Sequence, residues 1–225
     1  MTVYLVILDP LVTLQFVVFV LELWAGFKAL NSAVLQTVAT ENSSCVVATL
    51  LGLSGTPPGS TSGNLHNLRW THLLLRRAAE VLQDHFGMTL ALDLSYTISG
   101  IICSSHEIVV AMSRQKEVVG ILYVGATRQS LLWLVLHVWK LSALTLCCSA
   151  VSTEAAATRL LLQRAFAFHR TPSPQMAALL RLVALSPQLR FTAAGFVTVD
   201  RGLLVSALAA AVTYLVLLTQ FSGSF

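Results

Sequence analysis

Apolar residues in this chain come in long blocks with few polar interruptions, on the scale of a bilayer crossing rather than of a surface helix. The first block, residues 3–25, is interrupted by Asp9-Pro10, Gln15 and Glu22 but still reaches the roughly 20 residues that a hydrocarbon core requires. A second, 88–112, carries Asp93, Ser104, Ser105, His106 and Glu107, which lipid does not tolerate on an exposed face and which need protein neighbours or water. The third, 131–151, has Trp133 and Trp139 towards one half and Lys140 within it, a residue that must snorkel or face a bundle. Residues 202–221 form the fourth, with no charge inside it. The pattern predicts an all-α, polytopic transmembrane helical bundle with four spans, placed at 1–30, 88–112, 131–151 and 201–221.

The intervening segments read differently. Region 31–87 turns polar from Asn31, and its stretch GLSGTPPGSTSG at 52–63 is a linker composition that holds no regular element. Residues 69–86 then predict an amphipathic helix, because Trp70, Leu73, Leu74, Ala78, Val81 and Leu82 recur at spacings of three and four, with Arg76, Arg77, Glu80 and Asp84 on the polar face. Region 113–130 reads as a loop. Region 152–200 reads as helices and a loop, opening with a continuation of the third helix through Glu154, Arg159 and Arg164 until Thr171-Pro172-Ser173-Pro174 stops it. Residues 222–225 are a short tail.

Composition sharpens this picture. The chain is 56% hydrophobic and 11% charged, against roughly 25% charged in ordinary soluble domains. That leaves too little polar surface to cover a water-soluble particle and argues against a soluble enzyme. The net charge of +4 does not indicate nucleic acid, since no basic run exceeds Arg76-Arg77. Cys45, Cys103, Cys147 and Cys148 contain no CxxC pair and no histidines at metal spacing, so they read as buried thiols, with no metal and no disulfide framework. Residues 3–21 lack a basic leader and are followed by Glu22-Leu23-Trp24 where small cleavage-site residues should stand, so they read as a span.

Cytoplasmic flanks accumulate Lys and Arg. The first connection holds Lys28, Arg69, Arg76 and Arg77, and the third holds Arg159, Arg164, Arg170, Arg181 and Arg190; the middle one holds Arg114, Lys116 and Arg128. The expectation is that the first and third connections are cytoplasmic and both chain ends are outside. An outside N-terminus without a leader leads us to expect an odd number of further spans upstream, the chain being a fragment. The sequon Asn42-Ser43-Ser44 then falls in the cytoplasm and is expected to be unmodified.

Residues 191–221 carry a specific resemblance. Thr213-Tyr214, five mostly apolar residues and Gln220-Phe221 resemble the signature that ends the seventh span of insect gustatory receptors. Gly195, Phe196 and Asp200, in the run AAGFVTVD, resemble the block that precedes that span, with Val197 departing from the usual second aromatic. Cys148, Glu154-Ala155, Thr158 and Leu161-Leu162 resemble the stretch leaving the sixth span. The resemblance implies that the four spans correspond to spans four to seven of a seven-span insect chemoreceptor with an extracellular C-terminus. It further implies a homo- or hetero-tetramer around a central cation pore, in the plasma membrane of chemosensory neurons, gated by a small-molecule tastant.

The last span also carries its own argument. At 100° per residue, Gly202, Ser206, Ala210, Thr213, Leu217 and Gln220 fall within a sector of about 80°. Small and hydroxyl residues ending in an amide suit a water-filled lumen, and the same small residues equally suit close packing of helices; both readings stand at this level. Asp200 reads either as a helix cap or as an attractor of cations at the pore mouth. His106, Glu107, Trp133 and His137 are candidates for a ligand pocket, the alternative being polar contacts between helices. No nucleophile elbow, phosphate loop or cofactor motif is present, so neither enzymatic activity nor a cofactor is expected. The expected function is a ligand-gated, non-selective cation channel subunit in taste perception, the alternative being a non-conducting modulatory membrane subunit.

Overall fold

The computed structural model of the chain describes residues 2–50, 59–114, 121–168 and 174–222. Its elements are α1 (Thr2–Leu50), α2 (Gly59–Arg114), α3 (Ile121–Phe168), α4 (Pro174–Leu185), strands β1 (Thr192–Ala193) and β2 (Val197–Thr198), and α5 (Arg201–Ser222). Among the described residues, four stretches are long and apolar enough to cross a membrane: Pro10–Thr37, His66–Ala111, Thr127–Ala167 and Arg201–Gln220. The all-α polytopic bundle is thus what the chain forms.

The first three helices outrun the expected spans. At 1.5 Å per residue, the 49, 56 and 48 residues of α1, α2 and α3 reach about 70–85 Å, more than twice a hydrocarbon core of about 30 Å. Only α5, with 22 residues and about 33 Å, matches it. The polar segment from 31 to 50 is therefore helix, not linker: it contains neither Gly nor Pro, and Ser32 and Thr37 return their hydroxyls to the carbonyls of Lys28 and Ala33 at 3.1 and 2.8 Å. Residues 51–58 of the expected linker lie outside the described residues. Gly59 to Gly63 are the first turns of α2, where Gly and Ser are tolerated because the first amides have no partner within the helix. Likewise, 121–130 is the start of α3 rather than loop. The Thr171-Pro172-Ser173 stop lies outside the described residues, and Pro174 opens α4, a position where its missing N–H costs nothing.

The chain divides into two compact units. The first comprises Met1–Val18, His85–Ser149 and Phe191–Phe225. Phe16 stands at its centre, 5.5 Å from Phe86 and edge-on to Phe191 at 6.2 Å, with Leu90, Leu94, Leu141, Leu144 and Cys148 buried alongside. The β1–β2 hairpin pairs Thr192 with Thr198 and Ala193 with Val197, and is tied to α2 by the Ala194 amide donating to the Gly87 carbonyl at 2.9 Å. At its tip Ala194 and Gly195 both have positive φ, 51° and 78°, and the Phe196 amide closes the turn on the Ala193 carbonyl. The AAGF run is thereby a tight turn that needs Gly195 for its left-handed backbone.

The second unit comprises Phe19–Asp84 and Ala150–Arg190. Val20, Leu23, Phe27, Leu30 and Val34 of α1 are buried with Leu68 and Ala79 of α2, Val151, Leu162 and Ala165 of α3, and Met176, Leu179 and Val183 of α4. Asn31 sits among them fully engaged: its amide nitrogen donates to the Glu154 carbonyl and carboxylate at 3.1 and 3.0 Å, and its oxygen accepts from Thr158 at 2.6 Å. The expected apolar face of α2 is only partly buried: Leu73 and Leu82 are half-buried, and Arg77 and Asp84 are exposed as expected. Trp70, Leu74, Ala78 and Val81 are exposed, and the buried stripe is Leu68, His72, Ala79 and Phe86, with Leu75 half-buried between them. Apolar residues occupy both sides of this helix, so periodicity alone did not single out the buried stripe.

Cysteine burial also differs from expectation. Cys148 is buried and Cys147 half-buried, but Cys103 is exposed on α2.

Candidate functional site

The first unit carries an open cleft of about 470 Å³, within the range of roughly 300–1,000 Å³ typical of small-molecule sites. Pro10, Thr13, Leu14 and Val17 of α1 line one side, Tyr96 of α2 another, and Trp133, Leu136, His137, Trp139, Lys140 and Ala143 of α3 the rest. Residues 133, 136, 137, 140 and 143 follow each other at helical spacing, so one face of α3 lies along the cavity.

His137 is the best-anchored wall residue. It is buried, stacks on Trp133 with ring centroids 5.8 Å apart and planes at 26°, and meets Tyr96 nearly edge-on at 5.5 Å. Gly100 makes this possible, since a Cβ there would fall on the imidazole ring. Beside the aromatics lies an ion pair between Lys140 Nζ and Asp93 Oδ1, both groups largely withdrawn from solvent. The Thr13 hydroxyl donates to the other Asp93 oxygen at 3.0 Å, and the Lys140 ammonium lies 5.9 Å from the Tyr96 ring centre. The cavity thus presents aromatic faces and one internally neutralised charge pair, suited to a small, largely apolar molecule with a polar end.

Of the four expected pocket residues, Trp133 and His137 line this cavity, while His106 and Glu107 do not. Glu107 instead accepts a hydrogen bond of 2.6 Å from Ser130, the contact between helices that was the alternative reading. Tyr96, Gly100 and the Thr13–Asp93–Lys140 cluster are additional. The signal for the last was the presence of Asp93 and Lys140 inside apolar blocks; their pairing, 47 positions apart, has no trace in the sequence.

The second candidate is α5. Asp200 Oδ1 accepts from the Leu203 amide at 3.0 Å, the capping geometry, which satisfies a free amide at the helix start. Ala207 and Ala211 are buried and Leu203, Leu204, Leu215 and Thr219 half-buried, so this face packs on the rest of the unit. Gly202, Ser206, Ala210, Thr213, Leu217 and Gln220 are all exposed, on a face about 150° round the helix from the packed one. Within the chain, then, the small-residue stripe is not the packing face. Ser206 and Thr213 return their hydroxyl protons to the carbonyls of Leu203 and Ala209 at 3.1 and 3.0 Å, leaving the oxygens directed outwards as acceptors. Of the remaining motif residues, Tyr214 is exposed, Phe196 protrudes from the hairpin tip with 90% of its surface exposed, and the backbone of Phe221 lies in the last turn of α5.

Comparison with known proteins bears on both candidates. A family model described as 7tm chemosensory receptor matches residues 1–224. The gustatory and pheromone receptor 32a of Drosophila melanogaster is 36% identical over 89 residues, which are 40% of this chain and 19% of that receptor. Among solved structures, the insect olfactory receptor OR5 from Machilis hrabei in complex with eugenol superposes with a TM-score of 0.66 at 16% identity, over 93% of this chain and 47% of that one. The chain therefore spans about half the length of the solved relative and less than a fifth of the receptor 32a is matched.

Proposed function

Because the chain belongs to the 7tm chemosensory receptor family, a family of receptors rather than enzymes, and is a multi-pass membrane protein, we propose that it forms part of a ligand-gated, non-selective cation channel for taste. The observation that carries this reading is the exposed stripe of α5. This stripe of small residues faces away from its own unit; its two hydroxyls are satisfied within the helix, but the Gln220 amide at its end is costly against lipid, and the stripe as a whole suits another subunit or water. Several copies arranged around an axis, four by analogy with the resemblance, would turn Ser206, Ala210, Thr213, Leu217 and Gln220 towards a common lumen, with Leu217 and Gln220 narrowing it at one end.

The ligand in this reading is a small tastant held in the cavity of Trp133, His137 and Tyr96; that the solved olfactory relative is in complex with eugenol supports a small-molecule ligand. Its effect on gating requires tighter binding to the open state than to the closed one, whatever its affinity. The charge distribution supports an extracellular C-terminus, and the family resemblance supports a place in the plasma membrane of chemosensory neurons. A tag after Phe225 is then stained on intact cells; staining only after permeabilisation refutes the orientation.

The channel reading is tested at Gln220 in a full-length receptor carrying this C-terminal half. Gln220→Glu alters divalent permeation or block, and Gln220→Lys suppresses cation current at unchanged surface expression, because a ring of positive charge repels cations. A Lys variant conducting like wild type at equal surface level makes the stripe a packing face between subunits and favours the modulatory, non-conducting alternative, as does full tolerance of Gln220→Leu.

A further inference from the structure

The second unit holds another cavity, of about 180 Å³, which the channel reading leaves unused. Its wall gathers three guanidinium-bearing residues from three segments: Arg76 of α2, Arg159 of α3 and Arg190 from the stretch after α4. Arg76 Nε lies 3.4 Å from Glu80 Oε1, a carboxylate that Arg77 also approaches at 3.5 Å. Arg190 donates to the uncharged Gln188 side chain at 3.0 Å, and among the described residues no carboxylate pairs with Arg159 or Arg190. The cavity wall therefore carries a surplus of positive charge.

His72 supplies the independent observation. It is only 5% exposed, lines the same cavity, and neither ring nitrogen has a hydrogen-bond partner. Phe27 holds the ring edge-on at 6.2 Å, so the imidazole is packed in place with its polar atoms unmet. Buried polar groups are normally satisfied, and an exception beside unpaired guanidiniums points to a missing anion. Size narrows the class. The volume equals about six waters and lies below the roughly 300 Å³ of ordinary organic-ligand sites, so it suits a compact, multiply charged group.

We propose that this cavity binds a phosphate group. Arg159 and Arg190 would provide planar forks matched to phosphate oxygens, and the His72 N–H a further donor to the same group. The phosphate belongs either to a lipid headgroup or to a soluble ion; both are available on the cytoplasmic side, where the charge count puts these segments.

The test uses the complete chain purified in detergent, titrated by calorimetry with inorganic phosphate and separately with dioctanoyl phosphatidylinositol 4-phosphate, against chloride at equal ionic strength. Arg159→Gln and Arg190→Gln each weaken binding by about tenfold or more, His72→Phe weakens it severalfold, and Arg128→Gln, an exposed arginine of the first unit, leaves it unchanged. Lipid binding at least tenfold tighter than inorganic phosphate identifies a headgroup site; equal binding identifies a soluble-phosphate site. The proposal is overturned if neither probe binds the wild type, or if both arginine variants bind as tightly as it does. Arg190 is exposed, so its replacement leaves the fold intact and keeps the result interpretable should Arg159→Gln fail to fold.

Discussion

Replacing Lys140 by methionine removes the ammonium of the Asp93–Lys140 pair but keeps a side chain of similar length. Asp93, 8% exposed, then keeps the hydrogen bond from the Thr13 hydroxyl but loses the charge that neutralises it. Breaking a buried pair on one side costs about 3–5 kcal/mol, because the remaining charge keeps its desolvation penalty and loses its compensation. The Thr13 bond survives in this variant and holds the loss towards the lower end, whereas Asp93→Leu removes the carboxylate that neutralises the Lys140 ammonium, leaving its charge 5.9 Å from the Tyr96 ring centre. For a chain of this size, about 2–4 °C of melting temperature corresponds to each kcal/mol, so each single variant should melt about 6–20 °C below wild type. Removing both charges leaves nothing stranded, and Thr13 can return its hydroxyl to its own helix. The double variant Asp93→Leu/Lys140→Met is therefore expected within about 1 kcal/mol of wild type or above it. Fluorescence-monitored melting in detergent of the four proteins measures this cycle. If the two single losses add in the double variant to within about 0.5 kcal/mol, the groups do not interact and the cluster is misread.

Two further substitutions probe the packing that positions the sites. Gly100→Ala drives a methyl group into the His137 ring, so it should lower stability by about 1–3 kcal/mol and weaken any cavity ligand; Gly100→Ala/His137→Ala should recover the stability, and no recovery in melting would place the strain elsewhere. Asn31→Leu leaves Thr158 and Glu154 without their shared partner in the second unit, an expected loss of about 1–3 kcal/mol, which unchanged melting would refute.

Block length was enough to predict an all-α polytopic bundle, and the described residues hold four helices long and apolar enough to cross a membrane, since a continuous run of about 20 apolar residues satisfies its own backbone in lipid as a helix. The motif residues from Gly195 to Phe221 were legible for a related reason: turn, cap and helix are local, so Asp200 could be read as a cap and the stripe of Ser206, Thr213 and Gln220 as one face from spacing alone. Which side of a helix is buried was not legible where apolar residues lie on both sides, as the exposure of Trp70 and Leu74 beside the burial of Leu68 and Ala79 shows. Helix ends were obscured as well, since α1 runs through the polar stretch after Asn31, where backbone hydrogen bonds continue whatever the side chains solvate. Only the tertiary structure brings Asp93 to Lys140, His137 to Gly100, and His72 to Arg159 and Arg190. Each of these pairs joins different helices across dozens of residues, and a contact of that kind depends on the rotation and register of whole helices, which the local pattern leaves free.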